Sequence, residues 1–140
     1  MCWISKNLTQ QISDGTVKIF KMCITKNYKL CGYFYTNFEY ILDEEYQTEV
    51  NIEHNVELNR FVGNQGFHSY DATKCEVKKI IDREVKLCVT RCAFKPYTVV
   101  NYLADAVLVE GYLPKGTTYY VNADGEIISD KIILTEITKI

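Results

Sequence analysis

The last quarter of the chain, residues 106–140, reads AVLVEGYLPKGTTYYVNADGEIISDKIILTEITKI and decides the fold class. Side chains alternate faces along a strand, and runs of β-branched and aromatic residues favour strands. Pro114-Lys115-Gly116 and Asn122-Ala123-Asp124-Gly125 are typical turns, and Ser129-Asp130 is a third turn signal. The stretch therefore predicts a C-terminal β-meander of four strands: Val107–Leu113, Thr117–Val121, Glu126–Ile128 and Ile132–Ile137.

Upstream of this meander, Thr16–Ile24 is apolar on both faces, which is typical of a central strand. Further strands are predicted at Leu30–Tyr35, Tyr46–Ile52, Val85–Thr90 and Val99–Leu103. One helix is predicted, from about Ala72 to Arg83, because Ser69, Asp71 or Thr73 can cap it and because Thr73 and Glu76 have capping-box spacing. The expected fold is α+β, a mostly antiparallel sheet with one helix, in which residues 1–15 form an arm and residues 16–140 a single domain.

Gly63–Gly66 is predicted to be a loop, and Phe67-His68-Ser69-Tyr70 follows it. A helix start offers free N–H groups and the positive end of the helix dipole, both of which favour anions. The sequence therefore predicts an anion site near residues 66–70, with Arg91 or Lys95 assisting.

The composition bounds the class of protein. The chain has 140 residues, 47% of them hydrophobic and 24% charged, as in an ordinary folded domain. No signal peptide and no membrane span is predicted, so we expect a cytoplasmic protein, in the host cytoplasm if it is viral. Reduced thiols are favoured over disulfides, and no metal site is expected, because the spacing of the six cysteines does not resemble zinc ligation: Cys2, Cys23, Cys31, Cys75, Cys88 and Cys92.

The net charge of −2 argues against a protein that coats DNA or RNA, which requires many cationic contacts with phosphates. The charges are unevenly placed. Residues 39–57 carry seven carboxylates and no Lys or Arg, whereas residues 74–95 are predominantly basic. These runs are either two solvated faces or surfaces that attract charged partners.

Strong catalytic motifs are absent from the sequence: it has no P-loop, no GxGxxG, no HExxH and no GxSxG. Three fragments in order resemble the ADP-ribosyltransferase pattern: Ile19-Phe20-Lys21, Gly66-Phe67-His68-Ser69-Tyr70 and Glu110-Gly111-Tyr112-Leu113-Pro114-Lys115-Gly116. In that family a glutamate just before a Leu-Pro-x-Gly turn is catalytic, and Glu110 matches this position. Lys21 replaces the family's arginine or histidine, and Leu108 replaces the Glu or Gln of arginine-modifying members.

The same motif order is similar to small bacteriophage proteins of the type that sequesters nucleotide signals of host immunity. This resemblance implies a homo-oligomeric, non-catalytic protein with no cofactor that binds a cyclic nucleotide or an ADP-ribose derivative. The alternatives are a mono-ADP-ribosyltransferase using Glu110 and a protein-interaction module whose acidic run meets a basic partner. Cationic side chains would bind phosphates and tyrosines would stack on a base, which gives the candidate site residues Lys21, Tyr35, His68, Ser69, Tyr70, Arg91, Lys95, Tyr97 and Glu110.

Overall fold

The computed structural model describes residues 3–32, 38–91 and 106–138. The fold is α+β and mostly antiparallel, with one helix in the described part of the chain. That helix is α1 (Val77–Arg91), and the strands are β1 (Trp3–Ser5), β2 (Thr9–Ile12), β3 (Val17–Lys26), β4 (Lys29–Gly32), β5 (Glu39–Tyr40), β6 (Glu45–Gln47), β7 (Asn51–Asn55), β8 (Arg60–Gln65), β9 (Phe67–Asp71), β10 (Ala106–Leu113), β11 (Thr118–Val121), β12 (Glu126–Ser129) and β13 (Lys131–Thr138).

The main sheet has ten strands, in the order β2-β11-β12-β9-β3-β10-β13-β6, with β4 and β5 branching from β3. A separate three-stranded sheet has the order β1-β8-β7. The predicted central position of β3 is confirmed, because β10 pairs with one edge of it from Val17 to Ile24 while β9 and β4 share the other edge.

The predicted C-terminal β-meander is not confirmed. Within it, only β11 and β12 are neighbours both in sequence and in the sheet. β10 and β13 pair with each other, and β12 pairs with β9 from the middle of the chain. The segment therefore forms four strands, as predicted, but most of these strands pair with strands that are distant in sequence.

The helix begins five residues later than predicted and continues past the predicted end. Asp71 explains the late start: its carboxylate accepts hydrogen bonds from the backbone N–H and the hydroxyl of Thr73, and its carbonyl accepts from Cys75. These bonds hold residues 71–75 in a turn. The backbone N–H groups of Thr73 and Cys75 bond to Asp71, and this local turn takes the place of the first helical turn that was predicted there. The strand predicted at Val85–Thr90 is wrong, since these residues continue α1.

Two other predicted elements are corrected. The stretch predicted as a single strand at Tyr46–Ile52 is divided between β6 and β7. The predicted loop at Gly63–Gly66 is mostly the end of β8, and Gly66, with a φ of 138°, joins β8 to β9. The strand predicted at Leu30–Tyr35 corresponds in part to β4, while residues 33–35 and Val99–Leu103 lie outside the described residues.

The main sheet buries side chains on both of its faces. The helix face carries Met22, Ile24, Tyr70 and Leu108, which pack with Ile80 of α1. We call the opposite face of the main sheet the inner face. Its buried residues include Ile19, Cys23, Phe67, Val109, Ile127 and Leu134. Tyr40 of β5, Tyr46 of β6 and Leu42 of the segment between these strands pack over the inner face.

The side chains of three of the six cysteines are described, as is one helix, and these concern the predictions about thiols and membrane spans. Cys23, Cys31 and Cys75 are free thiols. The described helix lacks the length and apolar content that are required to cross a bilayer.

Candidate functional site

The sheet forks on one edge of β3. On this edge β9 pairs with Ile19 and Phe20, and β4 takes over at Cys23. Lys21 lies between these two pairings, and its ammonium donates a 2.6 Å hydrogen bond to the carbonyl oxygen of His68 on β9. The lysine thus bridges β3 and β9 where their backbone ladder ends. We call this place the fork.

Lys21 is directed to the inner face, since Ile19 and Cys23, two residues away on either side, belong to the inner-face core. Burial lowers the pKa of the Lys21 ammonium, because removal from water disfavours the charged form. The hydrogen bond to His68 uses one of the three N–H donors of the ammonium.

Ser69 is also on the inner face, because Phe67 precedes it by two residues and its cross-strand partner Ile127 is in the inner-face core. The residue is only 3% exposed, and its hydroxyl oxygen has no hydrogen-bond partner. Lys21 is partly buried and binds the peptide group that links His68 to Ser69, so its ammonium and the residue with the unpartnered hydroxyl meet at the fork. Buried polar atoms without partners are rare in folded proteins and call for a specific explanation.

An aromatic cluster lies beside this polar pair. The Lys21 ammonium is 5.9 Å from the ring centroid of Tyr40. Around Tyr40 the rings pack at tilted or edge-on angles, with centroids 4.8 Å away for Phe38, 5.3 Å for Tyr46 and 6.3 Å for Phe67. Phe38 is partly exposed, so the cluster reaches the surface.

An open cleft of about 820 Å³ adjoins the aromatic cluster, and Tyr40 forms part of its wall. Leu30, Ile41, Leu42 and Ile137 make the lining largely apolar, and the other lining residues are Thr25, Asn27, Tyr28, Lys29 and Glu39. Its volume lies within the range of small-molecule sites. Tyr40 therefore lies between the cleft and the fork, since it lines the cleft and its ring faces the Lys21 ammonium, whereas neither Lys21 nor Ser69 lines the cleft.

Tyr28 stands at the rim of this cleft in an unusual conformation. Asn27 and Tyr28 have φ values of 52° and 63°, and they form the two-residue turn between β3 and β4. Such turns favour Asn and Gly, and a bulky side chain there costs backbone strain. The ring is fully exposed, so packing does not compensate for this strain.

A second polar group lies on the helix face. The Tyr70 hydroxyl donates to Glu84 Oε1, while Glu84 Oε2 is buried without a partner. Burial raises the pKa of Glu84, and the hydrogen bond from Tyr70 partly offsets this increase. Nearby, Arg83 forms a 2.8 Å ion pair with Glu126, which also accepts a bond from Asn122.

The structure separates several of the predicted site residues. Glu110 is paired with Phe20 and is therefore on the helix face, whereas Lys21 and Ser69 are on the inner face. Tyr70 is buried, and its hydroxyl is bonded to Glu84. His68 lies on β9 opposite Ile128 and contributes its carbonyl to the fork.

The structure does not place residues 66–70 at the helix start, which the predicted anion site requires. Residues 67–70 belong to β9, an interior strand, and residues 72–76 separate this strand from α1. Tyr35, Lys95 and Tyr97 lie outside the described residues, and Arg91 ends α1 with a side chain that is not described.

Three of the aromatic residues that accompany Lys21, namely Phe38, Tyr40 and Tyr46, are absent from the predicted site residues. The available signal was their density between residues 38 and 46, which is high for an otherwise acidic stretch. The acidic charge dominated the interpretation of this stretch.

The described residues bring together no group of three or more His, Cys, Asp or Glu side chains that could hold a metal ion. Comparison of the chain with protein-family models, curated proteins and solved structures yields no significant match.

Proposed function

We propose that the protein binds a small nucleotide-type ligand without transforming it, and that the ligand occupies the cleft beside Tyr40 and reaches the fork. The ligand class that fits is a cyclic nucleotide or an ADP-ribose derivative. Sequestration of such a signal in the cytoplasm is the role implied by the resemblance to bacteriophage proteins. Homo-oligomerisation is part of this proposal, and light scattering from the purified protein measures it.

The observation that carries the proposal is the unpartnered Ser69 hydroxyl on the residue whose peptide group binds the partly buried Lys21 ammonium. A phosphate oxygen can accept hydrogen bonds from both groups, and its charge would offset the cost of burying the ammonium. The Phe38 ring, which is partly exposed and packs against Tyr40, offers a surface on which a base could stack, as aromatic rings of nucleotide sites commonly do.

Binding is favoured over catalysis because the candidate reactive groups do not converge. The alternative mono-ADP-ribosyltransferase would require Glu110 to serve the same nucleotide as Lys21 and Ser69, but Glu110 is on the other face of the sheet. Burial raises the pKa of the Cys23 thiol to about 12, so it is not a thiolate nucleophile at neutral pH.

Calorimetric titration with cyclic dinucleotides, cyclic trinucleotides and ADP-ribose tests the proposal. We expect at least one ligand of the panel to bind, and the Lys21→Met variant to lose this affinity. Lys115→Met is the matched control, since Lys115 is an exposed residue of a turn. The absence of any binding tighter than about millimolar would contradict the proposal, as would equal affinities of the two variants.

A further inference from the structure

A second surface of the molecule is independent of the fork. It is formed by Glu49–Arg60, which we call the acidic arm, and it contains β7 and the turn into β8. β7 is an edge strand, because within the described chain it pairs only with β8. Asn51, Glu53, His54 and Asn55 are exposed along it. An open strand edge is a template for the backbone of another segment.

The charge of the arm restricts what can pair there. Glu53 lies on β7, Glu49 lies two residues before the strand and Glu57 two residues after it, and all three are exposed. Neither ion pair of the described residues, Lys29 with Glu39 and Arg83 with Glu126, involves the arm. Arg60 is its one cationic residue, and its guanidinium donates to the backbone of Asn59.

The tip of the arm adds apolar surface. Val56 is 83% exposed and Leu58 is 57% exposed. The Asn55 side chain accepts a hydrogen bond from Leu58 N–H, and Asn59 adopts a left-handed conformation with a φ of 49°. These contacts fix the turn, so the two apolar side chains are displayed by ordered backbone.

A second copy of the chain is a poor occupant of this edge. Antiparallel pairing of two copies of β7 about its central residue would place Glu53 opposite Glu53. Like charges that face each other across a strand pair destabilise it. Nucleic acid is disfavoured for the same electrostatic reason, because its phosphates repel the carboxylates.

We infer that the free edge of β7 is a docking site for an extended, basic segment of another protein, which adds as a fourth strand to the β1-β8-β7 sheet. Glu53 is the central residue of β7, and Glu49 and Glu57 lie just beyond its two ends, so the edge that no described strand pairs with is flanked by negative charge. A partner segment with Lys or Arg at alternate positions would pair with these glutamates, and an apolar residue at its end would cover Val56 and Leu58.

The test uses the full chain and a labelled alternating Lys-Val hexapeptide, with Lys-Gly and Glu-Val hexapeptides as comparisons. We expect the Lys-Val peptide to bind and to protect the backbone amides of residues 51–55 from hydrogen exchange. The Lys-Gly peptide has the same charge but a low strand propensity, so it should bind more weakly. Fluorescence anisotropy and hydrogen exchange give the two readouts.

The Glu53→Lys variant should weaken binding of the Lys-Val peptide about tenfold, because it places a like charge in the centre of the site. Glu76→Lys, which makes the same charge change at an exposed position before α1, is the control, and circular dichroism checks that both variants fold. The inference is overturned if the Lys-Val peptide does not bind, if the two variants weaken binding equally, if the Lys-Gly peptide binds as well as the Lys-Val peptide, or if protection falls outside residues 51–55. Glu53→Lys should bind nucleotides as the wild type does, because Glu53 lies in a different sheet from Lys21 and Ser69. Nucleotide titration of this variant therefore distinguishes failure of the peptide site from failure of the proposed function.

Discussion

Glu84 is buried with one carboxylate oxygen unpartnered, and this has a consequence for stability that can be measured as a function of pH. Burial raises its folded-state pKa above the value of about 4.3 expected in the unfolded chain. The folded state therefore binds this proton more tightly than the unfolded state. The contribution of Glu84 to stability is greatest below the unfolded pKa and is lost as the pH rises through the raised folded pKa.

The Glu84→Gln substitution should remove this loss, because glutamine stays neutral and can still accept the Tyr70 hydroxyl hydrogen bond. We expect the variant to melt at a higher temperature than the wild type near pH 8 and to gain little near pH 4.5. Differential scanning calorimetry across this range checks the prediction. A variant that is less stable than the wild type near pH 8 would show that ionised Glu84 stabilises the fold.

Lys21 provides a second prediction about a single residue. A buried ammonium with a lowered pKa costs free energy at neutral pH, and methionine has a similar length without the charge. The Lys21→Met variant should therefore unfold at the same denaturant concentration as the wild type, or at a higher one. A marked decrease in the midpoint would mean that the bond to His68 holds the fork together and that the lysine has a structural role.

Among the elements, the passage from β8 to β9 depends on Gly66. Its φ of 138° is a conformation that L side chains rarely adopt, and a Cβ there would lie 2.5 Å from Ile128 Cγ1. Gly66→Ala should therefore lower the free energy of unfolding by more than about 2 kcal/mol. Gly116 is the matched control, since it has a positive φ but no atom within 4 Å of its Cβ position, and its substitution should cost only about 1 kcal/mol.

Urea unfolding of Gly66→Ala and Gly116→Ala measures the difference. Equal losses would indicate that backbone strain dominates at both sites and that the contact with Ile128 yields without cost. A larger loss for Gly116→Ala would contradict the assignment of Gly66 as the tight junction between the two sheets.

The elements also show what sequence patterns can and cannot predict. Thr16–Ile24 was recognisable as a central strand because both of its faces are apolar, and the hairpin of β11 and β12 because Gly125 closes its turn. The start of α1 was mispredicted because capping-box spacing at Thr73 and Glu76 does not reveal that Asp71 already holds Thr73 in a turn. The end was mispredicted because Val85–Thr90 has both strand propensity and helical continuity with the residues before it.

At the scale of the whole molecule, the pairing of distant strands determines the candidate site. Lys21 and Ser69 were identified from short motifs, but their position on the inner face depends on the pairing of β9 with both β3 and β12. The same pairings place Glu110 on the helix face, although its motif suggested that it belongs with them. Tyr40 enters the site because it packs over the inner face from β5, and local patterns do not encode that contact.

If Lys21 and Ser69 bind the phosphate of a nucleotide behind Tyr40, as we propose, that nucleotide should copurify with the protein. Heat-released small molecules from the wild type and from Lys21→Met, purified in parallel from cells that make the signal nucleotides, would be identified by mass spectrometry. A phosphorus-containing nucleotide should be present with the wild type and absent from Lys21→Met. The same nucleotide recovered in equal amounts from both proteins, or no nucleotide from either, would contradict the claim.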